Sequence, residues 1–148
     1  MELITKSAEE TKKVGKDFAT SLVEGKREFL TLGLVGELGS GKTTFTQGFC
    51  QGMGIDKRVI SPTYILMREY ELQGRFSNLY HTDLYRLEGN MPKEVKELGI
   101  SDIWEKPGNI VLIEWAEKIA DIMPDSAYKI NFEVIDTDKR KITIEKEI

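Results

Sequence analysis

The chain has 148 residues, of which 40% are hydrophobic and 31% charged, and carries a formal net charge of −4. That suits one soluble globular domain with a real core, and the acidic balance argues against a protein that grips nucleic acid through phosphate contacts of its own. One cysteine, Cys50, excludes an intrachain disulfide or a cysteine metal cluster, and no apolar run nears the ~20 residues that cross a bilayer.

Met1 to Lys6 lack the basic head and apolar middle of a secretory signal, so a cytoplasmic protein with no membrane partner is expected. Leu3 to Thr5 reads as a short strand. Ser7-Ala8-Glu9-Glu10 fits a capping box with Ser7 as N-cap, and Val14, Phe18 and Leu22 follow at four-residue spacing, predicting an amphipathic helix over 7–23. Residues 29–35 are a nearly continuous apolar run, the pattern of a strand buried on both faces. A helix from Thr43 to Met53 carries Phe45, Phe49 and Met53 on one side, with Cys50 as packing. Gly52 and Gly54 close it.

The middle is less regular. Arg58 to Ile60 is a short strand candidate, and Pro62 holds Ser61 extended. Tyr64 to Leu72 and Asn78 to Tyr85 read as strands around the Gln73-Gly74 turn. Pro92 to Leu98 is a short helix ended by Gly99, with one more turn at Ser101 to Trp104. Asn109 to Glu114 is a second apolar strand that ends in an acid. Tyr128 to Ile135 and Lys141 to Lys146 alternate apolar and polar around Asp136-Thr137-Asp138, which predicts a hairpin.

Between the strand at 29–35 and the helix at 43–53 lies Gly36-Glu-Leu-Gly39-Ser40-Gly41-Lys42-Thr43. It satisfies the phosphate-binding loop pattern and sits in the context that the pattern requires. Its glycines let backbone N–H groups turn inward around phosphate oxygens, and the helix start adds positive potential. Lys42 can reach the outer phosphates, and the Thr43 hydroxyl can ligate Mg²⁺.

Such a site needs a further acid for the metal, at the end of a neighbouring strand. Glu114 and Asp83 both qualify, with Glu117 a possible support for Glu114; a solvated strand end is the plain alternative for either acid. The hydroxyls of Ser61-Pro62-Thr63 suit a γ-phosphate sensor or an ordinary turn. His81, the only histidine, either orients the acid near it or is structural. Trp115 reads as core. Neither Asn-Lys-x-Asp nor Thr-Lys-x-Asp occurs, and the arginines are scattered rather than gathered in a lid. Adenine nucleotide is favoured by elimination.

Taken together, the loop with its continuation Thr44-Phe-Thr-Gln-Gly48, Ser61-Pro-Thr-Tyr64, His81-Thr-Asp-Leu-Tyr-Arg86 and Ile113-Glu-Trp-Ala-Glu117 resemble the TsaE family. These are small bacterial ATPases of tRNA threonylcarbamoyladenosine (t6A) biosynthesis, and the likeness runs through nearly the whole chain. It implies an ATP- and Mg²⁺-dependent hydrolase acting with the TsaD and TsaB proteins, which modify adenosine 37 of tRNA. It also implies phosphate contacts from Gly36, Gly39, Ser40, Gly41, Lys42, Thr43 and Thr44, and nucleotide contacts from Thr11 and Arg140. Metal ligation would fall to Thr43 and Glu114. Lys42, Asp83 and Glu114 would serve catalysis, and Trp115 would matter for activity.

The expected fold is one α/β P-loop NTPase domain over 1–148. Its central, mostly parallel sheet would carry antiparallel additions from 64–85 and 128–146, with helices on both faces. Slow ATP hydrolysis that cycles a protein complex is the expected activity, with tRNA touched indirectly or weakly. The rivals are a small-molecule kinase and a nucleotide-gated binding module without essential turnover.

Overall fold

A computed structural model describes residues 1–56, 59 and 66–146. The strand expected at 58–60, the Ser61-Pro62-Thr63 loop and the first residues of the 64–72 strand lie outside those residues.

Strand β1 (Glu2–Thr5) leads into helix α1 (Ala8–Val23). The Ser7 hydroxyl accepts from the Glu10 amide at 3.1 Å, and the Glu10 carboxylate accepts from the Lys6 amide at 2.9 Å. The box therefore closes one residue ahead of the N-cap, satisfying one first-turn amide of the helix and the amide of the residue before its cap. The chain continues through β2 (Leu30–Gly36), α2 (Lys42–Gly52), β3 (Met67–Glu71) and β4 (Asn78–Asp83). Two short helices follow, α3 (Met91–Glu97) and α4 (Ile100–Ile103), then β5 (Asn109–Glu114), a 3₁₀ segment (Ala116–Ile122), β6 (Tyr128–Val134) and β7 (Arg140–Lys146).

Among the described residues the strands form one seven-stranded sheet in the order β1-β7-β6-β2-β5-β4-β3. The four inner strands β6, β2, β5 and β4 run parallel, while β1, β7 and β3 pair antiparallel at the margins. The sheet is thus mixed, with the parallel centre and antiparallel additions that were expected, though the additions are distributed differently. Each hairpin expected as an antiparallel addition instead gives one strand, β4 or β6, to the parallel centre.

Period-two alternation sends Leu30, Leu32 and Leu34 of β2, Ile110 and Leu112 of β5, and Leu79 of β4 to one face, where they pack with Phe45 and Phe49 of α2. Val111 and Ile113 point the other way, into a second core with Val95, Ile100 and Ile119. Helical segments therefore cover both faces.

The face of α1 turned to α2 is a surprise relative to its apolar spacing. Its buried residues are Thr11, Gly15 and Ala19, whereas Val14, Phe18 and Leu22 pack at the border of the core. Small residues let the backbones touch. A Cβ on Gly15 would lie 2.2 Å from the Phe45 carbonyl oxygen, one on Gly48 would lie 1.8 Å from that of Lys12, and one on Gly52 would lie 2.7 Å from that of Lys16. Phe18 closes the seam, with its ring 5.5 Å from Tyr128 and 6.3 Å from both Phe45 and Phe49. Cys50 is fully buried in the same core, and burial pushes its thiol up to about 12. Packing is its role.

Candidate functional site

The carboxyl ends of parallel strands are where an open α/β sheet leaves a crevice. Here the ends of β2, β4 and β5 deliver the glycine loop, Asp83 and Glu114 to one pocket of about 640 Å³. The alternation that builds the core also aims the acids. Glu114 shares the face of Ile110 and Leu112, and His81 and Asp83 share that of Leu79, so all three point toward the start of α2. In the β4–β5 ladder Asp83 stands directly opposite Glu114.

Gly39 and Gly41 hold the loop at φ of +76° and +105°, a region open to glycine at little cost. Gly41 is the N-cap of α2, and no side chain caps that helix start. Its first amides keep the donors that suit an anion.

Lys42, nearly buried, donates to the carbonyl oxygens of Gly36 and Glu37 and lies 3.4 Å from the Ser40 hydroxyl. The ring of Trp115 covers the ammonium, with its centroid 4.2 Å away. Burial lowers the Lys42 pKa from the ordinary lysine value, and Glu114, Glu117, Asp83 and Glu37 pull it back up. The Thr43 hydroxyl donates to Glu114 Oε1 at 2.9 Å, and His81 Nε2 lies 2.5 Å from Glu114 Oε2. Asp83 accepts from the Tyr85 amide at 2.9 Å.

Of the residues singled out in the sequence, Gly39, Ser40, Gly41, Lys42, Thr43, Thr44, Asp83, Glu114, Thr11 and Arg140 all line this pocket, together with Trp115. Gly36 is not among the lining residues; it touches the site through its carbonyl, which accepts from Lys42. The α1–α2 seam brings Thr11 there: its Cγ2 would be 3.4 Å from a Cβ on Gly41, and its hydroxyl bonds that of Thr5 at 2.7 Å. Arg140 arrives with the hairpin, its guanidinium donating to the Gly39 carbonyl at 3.1 Å.

Two supporting roles differ from expectation. Glu117 accepts from the Gly36 amide at 3.4 Å, beside the loop rather than on Glu114. His81 bonds Glu114, not its strand neighbour Asp83. Sequence reasoning passed over Ser7, Ala8, Leu38, Tyr85, Arg86, Thr137 and Asp138, which also line the pocket. Tyr85 and Arg86 stood inside a quoted motif, so that signal was present; Thr137 and Asp138 read only as a turn.

The donor set of Thr43 hydroxyl, Glu114 and Asp83 carboxylates is all hard oxygen, which suits Mg²⁺. Among the described residues no three His, Cys, Asp or Glu side chains converge as a metal cage.

Fold and pocket define an α/β protein of one mixed sheet, with a glycine loop and two acids gathered at the carboxyl end of its parallel strands. Residues 5–142 match the family profile described as threonylcarbamoyl adenosine biosynthesis protein TsaE. The tRNA threonylcarbamoyladenosine biosynthesis protein TsaE of Haemophilus influenzae is 41% identical over 131 residues, which cover 88% of this chain and 79% of that one. Its Bacillus subtilis namesake is 37% identical over 139 residues, with 94% and 81% covered. A crystal structure of Bacillus subtilis YdiB superposes with a TM-score of 0.75 at 32% identity, covering 100% of this chain and 86% of that one. The chain belongs to the TsaE family.

Proposed function

We propose that this chain binds ATP with Mg²⁺ in the pocket at the start of α2 and hydrolyses it slowly, in support of t6A biosynthesis by the TsaD and TsaB proteins. The observation that carries the reading is the meeting of Thr43 and Glu114, 2.9 Å apart, beside the buried Lys42 and an uncapped helix start. An anion placed there would meet the α2 amides and the Lys42 ammonium. Thr43 and Glu114 would hold Mg²⁺, directly or through water, and Asp83 would serve catalysis from the adjoining strand end. Bound there, the ion would neutralise charge on the outer phosphates. Positioning and charge stabilisation, rather than covalent chemistry by the protein, would supply the acceleration. Thr11 and Arg140, on the rim, suit the remainder of the nucleotide.

The net charge of −4 favours indirect or weak contact with tRNA over firm binding. No helix of the described residues is long and apolar enough to cross a membrane, and a cytoplasmic place of work fits the tRNA role.

Nucleotide affinity and steady-state hydrolysis, measured alone and with the TsaD–TsaB pair, test the proposal. Lys42→Ala should abolish nucleotide binding. Glu114→Ala should keep binding and lose on the order of 100-fold in turnover. Full multiple turnover by Glu114→Ala would leave a nucleotide-gated binding module as the better reading. Strong stimulation of ADP release by a small metabolite, with none from the protein pair, would point to a kinase instead.

A further inference from the structure

Glu114 is 2% exposed, and a buried carboxylate is costly unless donors satisfy it. Its two oxygens have different neighbours. Oε1 faces the pocket and accepts from the Thr43 hydroxyl at 2.9 Å. Oε2 faces inward to His81 Nε2 at 2.5 Å, and His81 is completely buried in β4. A carboxylate only accepts, so the Nε2–H tautomer of His81 is the one that completes this bond. Nδ1, on the other side of the ring, has no hydrogen-bond partner among the described residues. Among the described residues, the bond to Glu114 is the side-chain hydrogen bond that the imidazole makes.

From these distances we infer that His81 is a positioning residue for Glu114. It pins Oε2 from behind so that Oε1 stays turned toward Thr43 and the proposed metal position. The inference rests on the reading of Glu114 given under the proposed function. A glutamate's terminal torsion is broad and intrinsically undecided between orientations. While Thr43 donates to Oε1, two hydrogen bonds share the task of fixing that plane. An ion held by a lone pair of the Thr43 hydroxyl would lie on the Oε1 side and compete for that contact, whereas the bond from His81 approaches from the opposite side of the carboxylate and would be undisturbed. The β4–β5 register makes the arrangement rigid. His81 stands opposite Leu112, one alternation below the Asp83–Glu114 pair, so its ring lies under the carboxylate on a shared face. Hydrogen-bonding partners behind metal-holding carboxylates typically cost 10–100-fold in affinity or activity when removed.

Because His81 is the only histidine, long-range ¹H–¹⁵N spectra of the full chain report one imidazole without assignment work. The metal-free wild type should show the Nε2–H tautomer, and Glu114→Gln should shift that signal. Among variants, His81→Leu keeps bulk without a donor, and His81→Gln restores one. With folding verified by circular dichroism, the Mg²⁺-dependent gain in affinity for a fluorescent ATP analogue should fall about 10-fold in His81→Leu and return to within about threefold in His81→Gln. At saturating Mg²⁺, His81→Leu should lower kcat about 10-fold and leave KM for ATP within about twofold.

An Nδ1–H tautomer indifferent to Glu114→Gln would overturn the inference. So would a folded His81→Leu with wild-type Mg²⁺ response while Glu114→Gln is inactive; in that case the Glu114 assignment survives alone. If Glu114→Gln itself hydrolyses ATP at the wild-type rate and Mg²⁺ dependence, that assignment falls and takes the role of His81 with it. Should His81→Leu fail to fold, His81→Gln and the spectra of Glu114→Gln still decide.

Discussion

On one face of the sheet α1 and α2 meet backbone to backbone through Gly15, Gly48 and Gly52. On the other, α4 and the 3₁₀ segment are tied to their surroundings by side chains that donate to main-chain carbonyls. Thr31 reaches the Trp104 carbonyl, Asn109 that of Ile103, and Lys118 those of Tyr85 and Leu87. The first face depends on the absence of atoms and the second on the presence of particular polar ones. The difference matters for the pocket, because the first sets the spacing of Thr11 from the glycine loop and the second holds the Tyr85 segment and Trp115 over it.

The sharpest way to break the first arrangement is Gly48→Ala. Alanine favours a helix over glycine by about 1 kcal/mol, but its methyl would sit 1.8 Å from a backbone oxygen, which only parting the helices relieves. Overpacking of that kind places the expected net loss at about 3 kcal/mol in urea unfolding, with weaker nucleotide binding as Thr11 withdraws. An unchanged midpoint would show that the seam does not depend on that contact.

On the opposite face, Thr31→Val strips the partner from the Trp104 carbonyl while keeping shape, and about 2 kcal/mol should go with it. A loss below a few tenths would mean that the carbonyl finds water.

Alkaline pH probes the tight face chemically. With the Cys50 thiol raised from 9.0 to about 12, the unfolded chain sheds its proton above pH 9 while the native state keeps it. Stability should therefore fall across pH 9 to 12, by up to about 1.4 kcal/mol per unit from this group. Lys42, lowered by burial, acts in the opposite sense as pH climbs toward the ordinary lysine value. Tyr70, raised by burial, adds to the fall. Comparing Cys50→Ala with wild type at each pH isolates the thiol, and parallel curves would contradict its burial.

The mildest test is Lys118→Met, worth about 1 kcal/mol. Its clearer signature should be faster amide exchange confined to residues 84–90, with the α1–α2 seam unaffected.

Where local chemistry decides the structure, the sequence was a good guide. The Ser7 cap, the strand–loop–helix unit around Gly36 to Thr43 and the acid-terminated strand at 109–114 are each specified by neighbours in the chain, and all appear where expected. The 3₁₀ segment after Glu114 was not foreseen. Its N-cap, Trp115, has a φ of +62°, and the segment breaks at Ile119 with φ of −127°; neither residue announces this, and the left-handed Trp115 must be held by tertiary contacts. Strand direction was also hidden, since the alternation in 128–134 is the same whether β6 pairs parallel to β2 or not. Within the pocket, Lys42, Thr43, Asp83 and Glu114 were visible because each ends or begins an element. Thr11 and Arg140 came from family resemblance alone. What puts them on the rim is the small-residue stripe of α1 and the register of the last hairpin, both long-range facts.

That register has a consequence for the order of events during synthesis. Residue 5 pairs with residue 140 in the β1–β7 ladder, and the pocket takes Thr11 from one end of the sequence and Arg140 from the other. At the ~5–20 residues per second of translation, the first strand waits roughly 7–27 seconds for its partner. A nascent chain can own its glycine loop, Glu114 and even the α1–α2 seam long before the rim exists. Capture of ligand on that rim would mark a chain whose final hairpin has docked, so competence for binding would arrive late and all at once.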